Sequence, residues 1–338
     1  MIAKTDKYIL EFRKPAKTSR GEYLTKPSWI ISLIEGGRIG SGEISPLPDL
    51  SLDGKEEMDL ILDDLIFKIN STSKLPQIDE IPYPSVVFGI ESALAELESG
   101  IPGIYFKNDF SMGSAGIPIN GLVWMSEIED MKLQVLEKIQ NGFDCIKIKV
   151  GAHDFDEECR LLEWIRKLPT SSQIELRLDA NGAFHPDDAL IKLKTFSNFD
   201  IHSIEQPIRA GQREMMTEIC ARSPIKIALD EELIGINPYT EGLSLIKKIK
   251  PSFVILKPTL LGGFKKCESW IKIADENHAG WWATSALESN FGLRAIAQWT
   301  HSQGVRIHQG LGTGSLFRKN LSNELLVDNG FLYNQING

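Results

Sequence analysis

Apolar and polar positions follow two different periods along this chain. From residue 145 onward, short β-branched or aliphatic runs each end in a charge, at 145–151, 174–181, 201–207, 225–232 and 253–258. Runs this short and this apolar predict strands of a buried parallel sheet. Between them the apolar spacing changes to that of amphipathic helices, at 155–167, 186–196, 213–222, 239–249 and 263–278. The charged ends recur regularly. Lys149, Asp179, Glu205, Asp230 and Lys257 are separated by 30, 26, 25 and 27 residues. One strand, one helix and two loops fill such an interval, so the repeating unit is βα. Two further strands are predicted at 281–286 and 305–310, with a helix at 290–299 between them. Right-handed crossovers put the C-terminal ends of parallel strands on one side. Three carboxylates and two lysines therefore converge at one mouth, which is where a (β/α) barrel keeps its chemistry.

The first hundred residues read differently. Strands are predicted at 8–12, 29–35 and 38–44, with a Gly36-Gly37 turn, and helices at 56–70 and 85–98. The polar stretch from Lys14 to Lys26, punctuated by Pro15 and Gly21, reads as a loop. Its length inside a tight sheet points to a mobile substrate lid over about residues 16–26, carrying Arg20. The expected fold is α/β: a modified TIM barrel, (β/α)7β, behind an N-terminal α+β capping domain. The expected divisions are 1–112 for the capping domain, 113–312 for the barrel with the active site, and 313–338 for a C-terminal segment packing on the capping domain.

Composition narrows the function. A barrel takes about 250 residues, so a chain of 338 leaves room for the cap. The net charge of −9, with Lys and Arg scattered, argues against nucleic acid. No signal-like segment and no apolar run long enough to span a bilayer are evident, so a cytoplasmic location without a membrane partner is expected. Cys145, Cys159, Cys220 and Cys267 form no CxxC pair and read as reduced structural thiols. The six histidines show no metal-ligand spacing. Nothing in the chain sets an oligomeric state.

Asp179, Glu205 and Asp230 at consecutive strand ends repel one another unless a cation neutralises them. An all-oxygen ligand set favours a hard ion, Mg²⁺ with Mn²⁺ as a substitute. Asn181, two residues past Asp179, is placed to bind in the site or to brace a ligand. Lys147 and Lys149 share a strand face, with Lys149 nearer the mouth. A lysine close to a metal and a second cation has its ammonium disfavoured, which suits a base. Lys257 comes from the other side of the ring. Two lysines about a metal suit removal of a proton next to a carboxylate. Arg177 also faces inward by alternation, where it either contacts an anionic substrate or pairs with the acids. Ser285, and Gly310 and Gly312 after the last strand, complete the expected contacts to a small anionic substrate, with glycine N–H groups meeting its carboxylate.

Together, Lys147-x-Lys149, Asp179-x-Asn181, Glu205-Gln-Pro207, Asp230-Glu231 and Lys257-Pro258 resemble the enolase superfamily, in the muconate-lactonising-enzyme subgroup, over the whole chain. The mandelate-racemase branch would carry a His and an Asp where Ser285 and Lys257 stand. Within the subgroup, residues 18–21, Arg177 and 285–289 most resemble the o-succinylbenzoate synthases, which are hydro-lyases of menaquinone biosynthesis. That resemblance implies Mg²⁺-dependent syn elimination of water from 2-succinyl-6-hydroxy-2,4-cyclohexadiene-1-carboxylate through an enediolate. It also implies Lys149 as base and then acid, and Lys257 as a cation facing the enediolate. The competing reading is an N-succinylamino acid racemase or dipeptide epimerase using the same two lysines. The run Gly312-Thr313-Gly314 lacks the Asp-x-Asp of an epimerase.

Overall fold

The computed structural model describes residues 1–18, 21–54, 57–305 and 307–335. β1 (Ile2–Thr18), β2 (Gly21–Glu35) and β3 (Arg38–Ile44) form an antiparallel sheet in chain order. Helices α1 (Met58–Thr72) and α2 (Pro84–Ser99) pack on it. Met58, Leu62, Leu65 and Ile69 of α1 are its buried stripe and meet Trp29, Ile31 and Leu33 of β2.

The stretch expected to be a loop is a β-ribbon. β1 and β2 pair from Ile2↔Ile34 to Thr18↔Gly21, with a register irregularity between Glu11 and Ala16. β3 pairs only with Trp29 to Glu35, so the ribbon extends past the third strand. There Lys26 is buried while Leu24 is exposed, so the apolar alternation that marks a half-buried strand is missing. Pro15 falls in the irregular stretch, where a missing donor costs no ladder bond. Arg20 lies outside the described residues.

A short strand β4 (Gly116–Pro118) leads into the second body. There β5 (Gly121–Val123), β6 (Cys145–Lys149), β7 (Glu175–Asp179), β8 (Ile201–Glu205), β9 (Lys226–Leu229), β10 (Phe253–Leu256) and β11 (Gly280–Ala283) lie side by side in chain order, every pair parallel. The connecting helices are α3 (Ile128–Gln140), α4 (Phe155–Arg166), α5 (Pro186–Phe196), α6 (Arg213–Arg222), α7 (Leu243–Ile249), and α8 (Pro258–Leu261) with α9 (Phe264–Glu276). After β11 comes α10 (Asn290–Ser302). The modified TIM barrel expected from the strand ends is the observed fold. Its eighth strand is reduced. Gln309 bridges Ile119 and Gly310 bridges Thr284, and these two isolated bridges join the last segment to both ends of the sheet.

The C-terminal segment divides between two places. Arg318 N donates to Glu11 O at 2.8 Å and Phe12 bridges Phe317, beside β1. The hairpin of β12 (Leu325–Asp328) and β13 (Phe331–Asn334) instead adds to β4, at the barrel entry.

The two bodies are joined by buried polar groups. Lys26 of β2 donates to Ser45 Oγ and to the Ala286 and Leu287 carbonyls, at 2.9, 3.0 and 2.9 Å. Glu43 of β3 accepts from Ser289 N and Gly292 N, at the start of α10, at 3.0 and 2.7 Å. Glu91 of α2 accepts from Phe264 N and Lys265 N at the start of α9. Gly263 is a glycine because its φ is +93° and a Cβ there would fall 2.3 Å from Glu91 Oε2.

Burial pushes the Glu91 carboxyl up to about 6, against an ordinary 4.5. The folded state therefore keeps a proton that the unfolded chain loses between those values. This contribution to stability is present below 4.5 and is lost as pH rises to 6. The expected size is about 2 kcal/mol. Glu91→Gln should gain that much relative to wild type across the window, read by urea unfolding at a series of pH values. A difference that stays flat with pH would exclude the assignment.

Candidate active site

Strand register builds the site. Lys149 pairs with Asp179, and Asp179 with Glu205, across β6, β7 and β8. Glu205 pairs with Ala228 of β9. Asp230 stands two residues beyond Ala228, one pleat further along the same face. Lys257 directly follows β10. Outward neighbours such as Ile146, Ile148, Leu176 and Leu178 are fully buried in the core shared with the helices. Apolar packing on the outer face thus forces the charged set inward.

Lys147 Nζ lies 3.2 Å from Asp179 Oδ2 and 2.8 Å from Glu205 Oε2. Lys149 Nζ lies 2.6 Å from both Asp179 Oδ2 and Asn181 Oδ1. Lys257 Nζ pairs with Asp230 Oδ2. Asn181 also donates to Glu231 Oε1 at 3.0 Å, and its N–H donates to Asp179 Oδ1 at 3.1 Å. Gln206, next to Glu205, is a brace that sequence reasoning missed. Its Oε1 accepts from Asp230 N at 3.1 Å and Glu232 N at 3.2 Å. Asn181 and Gln206 take φ of 43° and 37°, a left-handed turn directly behind an expected metal ligand in each case.

The charges do not balance. Asp179, Glu205, Asp230 and Glu231 face Lys147, Lys149 and Lys257. Burial drives the Glu205 carboxyl up to about 7 despite Lys147, with Asp179 and Asp230 adding to it. Burial does the same to Glu231, also to about 7, with Asp230 next in weight. Asp179 is buried too, but Lys149 and Lys147 outweigh that and hold it well below the carboxylate range. Burial would lower Lys147, and Glu205 and Asp179 reverse it. Burial would likewise lower Lys257, and Asp230 and Glu231 hold it above its ordinary value. Each of these two ammoniums has a carboxylate in contact, which favours its charged form, as expected for Lys257.

Asp179, Glu205 and Asp230 fit a hard divalent ion by their chemistry. They are three carboxylates, each at most 2% exposed, on adjacent strand ends, in a cluster with more acids than bases. The lysine ammoniums stand between them. Among the described residues, one set of His, Cys, Asp or Glu ligand atoms lies mutually within 4.8 Å, and it is elsewhere: Cys145, Glu175 and His308.

The cavity above is lined by Lys147, Lys149, Asp179, Asn181 and Lys257, and by Ser285, Gly310 and Gly312. Ser285 Oγ accepts from Leu287 N at 2.9 Å and from Thr313 Oγ1 at 2.7 Å, so its own proton can point to a ligand. Gly310 differs from expectation, because its N–H is donated to Ala283 O at 2.8 Å and does not serve a ligand. It is a glycine because a Cβ would sit 2.4 Å from Thr284 Cγ2. Arg177 is corrected outright. It is fully buried beneath the cavity, donating to Glu175 Oε1 at 2.7 Å and to His308 O at 2.9 Å, over the Trp282 ring at 4.4 Å. Its strand face was read correctly, but a long side chain on the middle layer can turn to either end of the barrel.

Residues 130–334 match the family described as Enolase C-terminal domain-like, and residues 6–97 match the MenC N-terminal domain. The chain is 43% identical to the o-succinylbenzoate synthase of Desulfotalea psychrophila, over 96% of each. The chain belongs to the o-succinylbenzoate synthase family of the enolase superfamily. The o-succinylbenzoate synthase of Vibrio cholerae is 29% identical over 89% of this chain and 86% of its own. The crystal structure of MenC from Desulfotalea psychrophila superposes with a TM-score of 0.88 at 39% identity, covering 98% of this chain and 99% of the other. The L-Ala-D/L-Glu epimerase of Bacillus subtilis, in a substrate-liganded complex, has a TM-score of 0.85 at 19% identity over 98% and 95%, a likeness of fold alone.

The apolar wall of the cavity was not legible in the sequence. Leu47 and Leu50 reach it from the turn after β3, Tyr23 from the ribbon, Leu260 from α8, and Trp124 and Leu287 from barrel loops. Tyr23 OH donates to Pro48 O at 3.0 Å, which ties the ribbon to that turn. These residues come from separate parts of the chain, and of them only Leu287 lies in one of the runs that carry the family resemblance, 285–289. Among the described residues no helix is long and apolar enough to cross a membrane.

Proposed function

We propose that this chain dehydrates 2-succinyl-6-hydroxy-2,4-cyclohexadiene-1-carboxylate to o-succinylbenzoate, a step of menaquinone biosynthesis. The observation that carries the reading is the pairing of Lys149 and Lys257 in one cavity, on strands at opposite flanks of the acid cluster. Mg²⁺, or Mn²⁺ in its place, held by Asp179, Glu205 and Asp230 would supply positive charge to the substrate carboxylate. With that charge added, the cluster of four acids and three lysines becomes net positive, which suits an anionic substrate.

Lys149 takes the proton from the carbon next to the carboxylate and then gives it to the departing hydroxyl on the neighbouring carbon. Both groups leave from one face, so one lysine serves both transfers. Asn181 Oδ1 orients the ammonium that exists between the two transfers. Lys257 remains protonated, steadied by Asp230, and opposes the negative charge that builds on the enediolate. Aromatisation makes the elimination strongly downhill, so the burden on the protein is that charge. Leu47, Leu50 and Trp124 exclude water from the ring. The ribbon, with Arg20 beyond its described part, closes over the succinyl arm in this reading. Tyr23 in the cavity wall supports that placement.

A second reading, racemisation of N-succinylamino acids, needs both lysines as bases, one on each face. The contact of Lys257 with Asp230, which favours the cation, weighs towards dehydration. The two are separated by offering the cyclohexadiene with Mg²⁺ and following the aromatic product by ultraviolet absorbance. An N-succinylamino acid is followed in parallel in D₂O for loss of its α-proton. Dehydration should be the faster reaction. Exchange that outruns it would make racemisation the main activity.

A further inference from the structure

The opposite end of the barrel carries a second cluster that the proposed chemistry does not use. Cys145 and Glu175 are the first residues of β6 and β7 and pair in register. They stand four residues before Lys149 and Asp179 on the same faces, which places them about 13 Å below the catalytic mouth. His308, from the closing segment, joins them. One ligand atom from each of the three lies within 4.8 Å of the others, and Cys145 Sγ is 3.4 Å from Glu175 Oε1. Cys145 is fully buried, whereas Glu175 and His308 are half-buried and reach solvent.

We propose that Cys145, Glu175 and His308 bind a borderline transition-metal ion of the Zn²⁺ class at the N-terminal face of the barrel. One thiolate, one imidazole and one carboxylate are the ligand types such an ion takes, with water in the fourth position. This set is distinct from the all-oxygen set at the mouth, so the two ends select different metals. The surroundings suit the ion. Asp144 Oδ1 lies 2.8 Å from His308 Nε2, and a carboxylate on one ring nitrogen orients a ligating histidine and strengthens it as a donor. His202 Nδ1 lies 3.9 Å from Glu175 Oε1, a further imidazole at the rim. Arg177 already pairs with Glu175. On binding, the Cys145 thiol releases its proton to solvent and its sulfur bonds the ion. The thiolate, Glu175 and Asp144 then carry three negative charges, which the ion and Arg177 together balance. The ion would tie β6, β7 and the closing segment, which otherwise meets the sheet by two isolated bridges.

The probe is Co²⁺, added to the full chain already saturated with Mg²⁺. A thiolate bound to Co²⁺ gives a near-ultraviolet charge-transfer band that an all-carboxylate site cannot give. The expected result is that band with one ion per chain, absent in Cys145→Ser and retained in Cys267→Ser. Asp144→Asn should weaken binding about 10- to 100-fold. If Cys145→Ser does not fold, as judged by circular dichroism, His308→Ala and Glu175→Gln decide the matter by loss of the same band. Absence of the band at excess Co²⁺, or a band that survives removal of Cys145 or of both other ligands, overturns the proposal.

Discussion

Lys149→Ala lowers kcat for dehydration on the order of 10⁴-fold, with a much smaller change in KM. The size follows from the two transfers assigned to one group. General acid–base catalysis by a positioned side chain contributes about 10²- to 10⁴-fold, and here the same side chain removes the proton as the neutral amine and protonates the leaving hydroxyl as the ammonium so formed. Four decades correspond to about 5.5 kcal/mol of transition-state stabilisation. No neighbour can substitute. Lys147 is committed to Asp179 and Glu205, and Lys257 approaches from the other flank. Folding should survive, because Asp179 keeps Lys147 as a partner when Lys149 is removed. Lys257→Arg, which keeps the charge in a bulkier group, should retain a measurable fraction of activity. Steady-state kinetics of both variants on the cyclohexadiene are the measurement. Turnover by Lys149→Ala within tenfold of wild type would show that the base lies elsewhere.

Glu205→Gln is expected to lower activity at fixed Mg²⁺ on the order of 10³-fold, with partial recovery at higher Mg²⁺. Gln keeps the shape and one oxygen but removes the charge at the centre of the acid cluster. Glu205 pairs across the sheet with Asp179 and lies on the strand between Asp179 and Asp230, so it is the donor that links the other two. The same change takes a partner from Lys147, and breaking a buried ion pair costs about 3–5 kcal/mol. The thermal midpoint must therefore fall as well, and the assay has to be run below it. Binding of Mg²⁺ measured by calorimetry separates the two effects. Weakened Mg²⁺ binding in a folded variant supports the ligand assignment. Wild-type turnover at the same Mg²⁺ concentration would rule it out.

The barrel and the centre of the site could be read from the chain because parallel strands impose a simple code. Side chains alternate, strand ends align, and crossovers share one hand, so charges spaced 25 to 30 residues apart at strand ends must gather. Asp179, Glu205, Asp230, Lys147, Lys149 and Lys257 were all placed by that code. Four features were decided only by tertiary structure. The ribbon from Lys14 to Lys26 carries no apolar alternation, because Lys26 is buried while Leu24 is exposed, and sequence periodicity reports apolar burial, not strand geometry. Arg177 sits on the expected face, but whether it turns up to the acids or down to Glu175 depends on which end offers an unpaired acceptor. Lys147 had already taken Asp179 and Glu205. The cavity wall, and the cluster of Cys145, Glu175 and His308, join residues from distant parts of the chain. No spacing rule links residue 145 to residue 308. They meet because closing the ring brings the last segment of the barrel back beside the first strands.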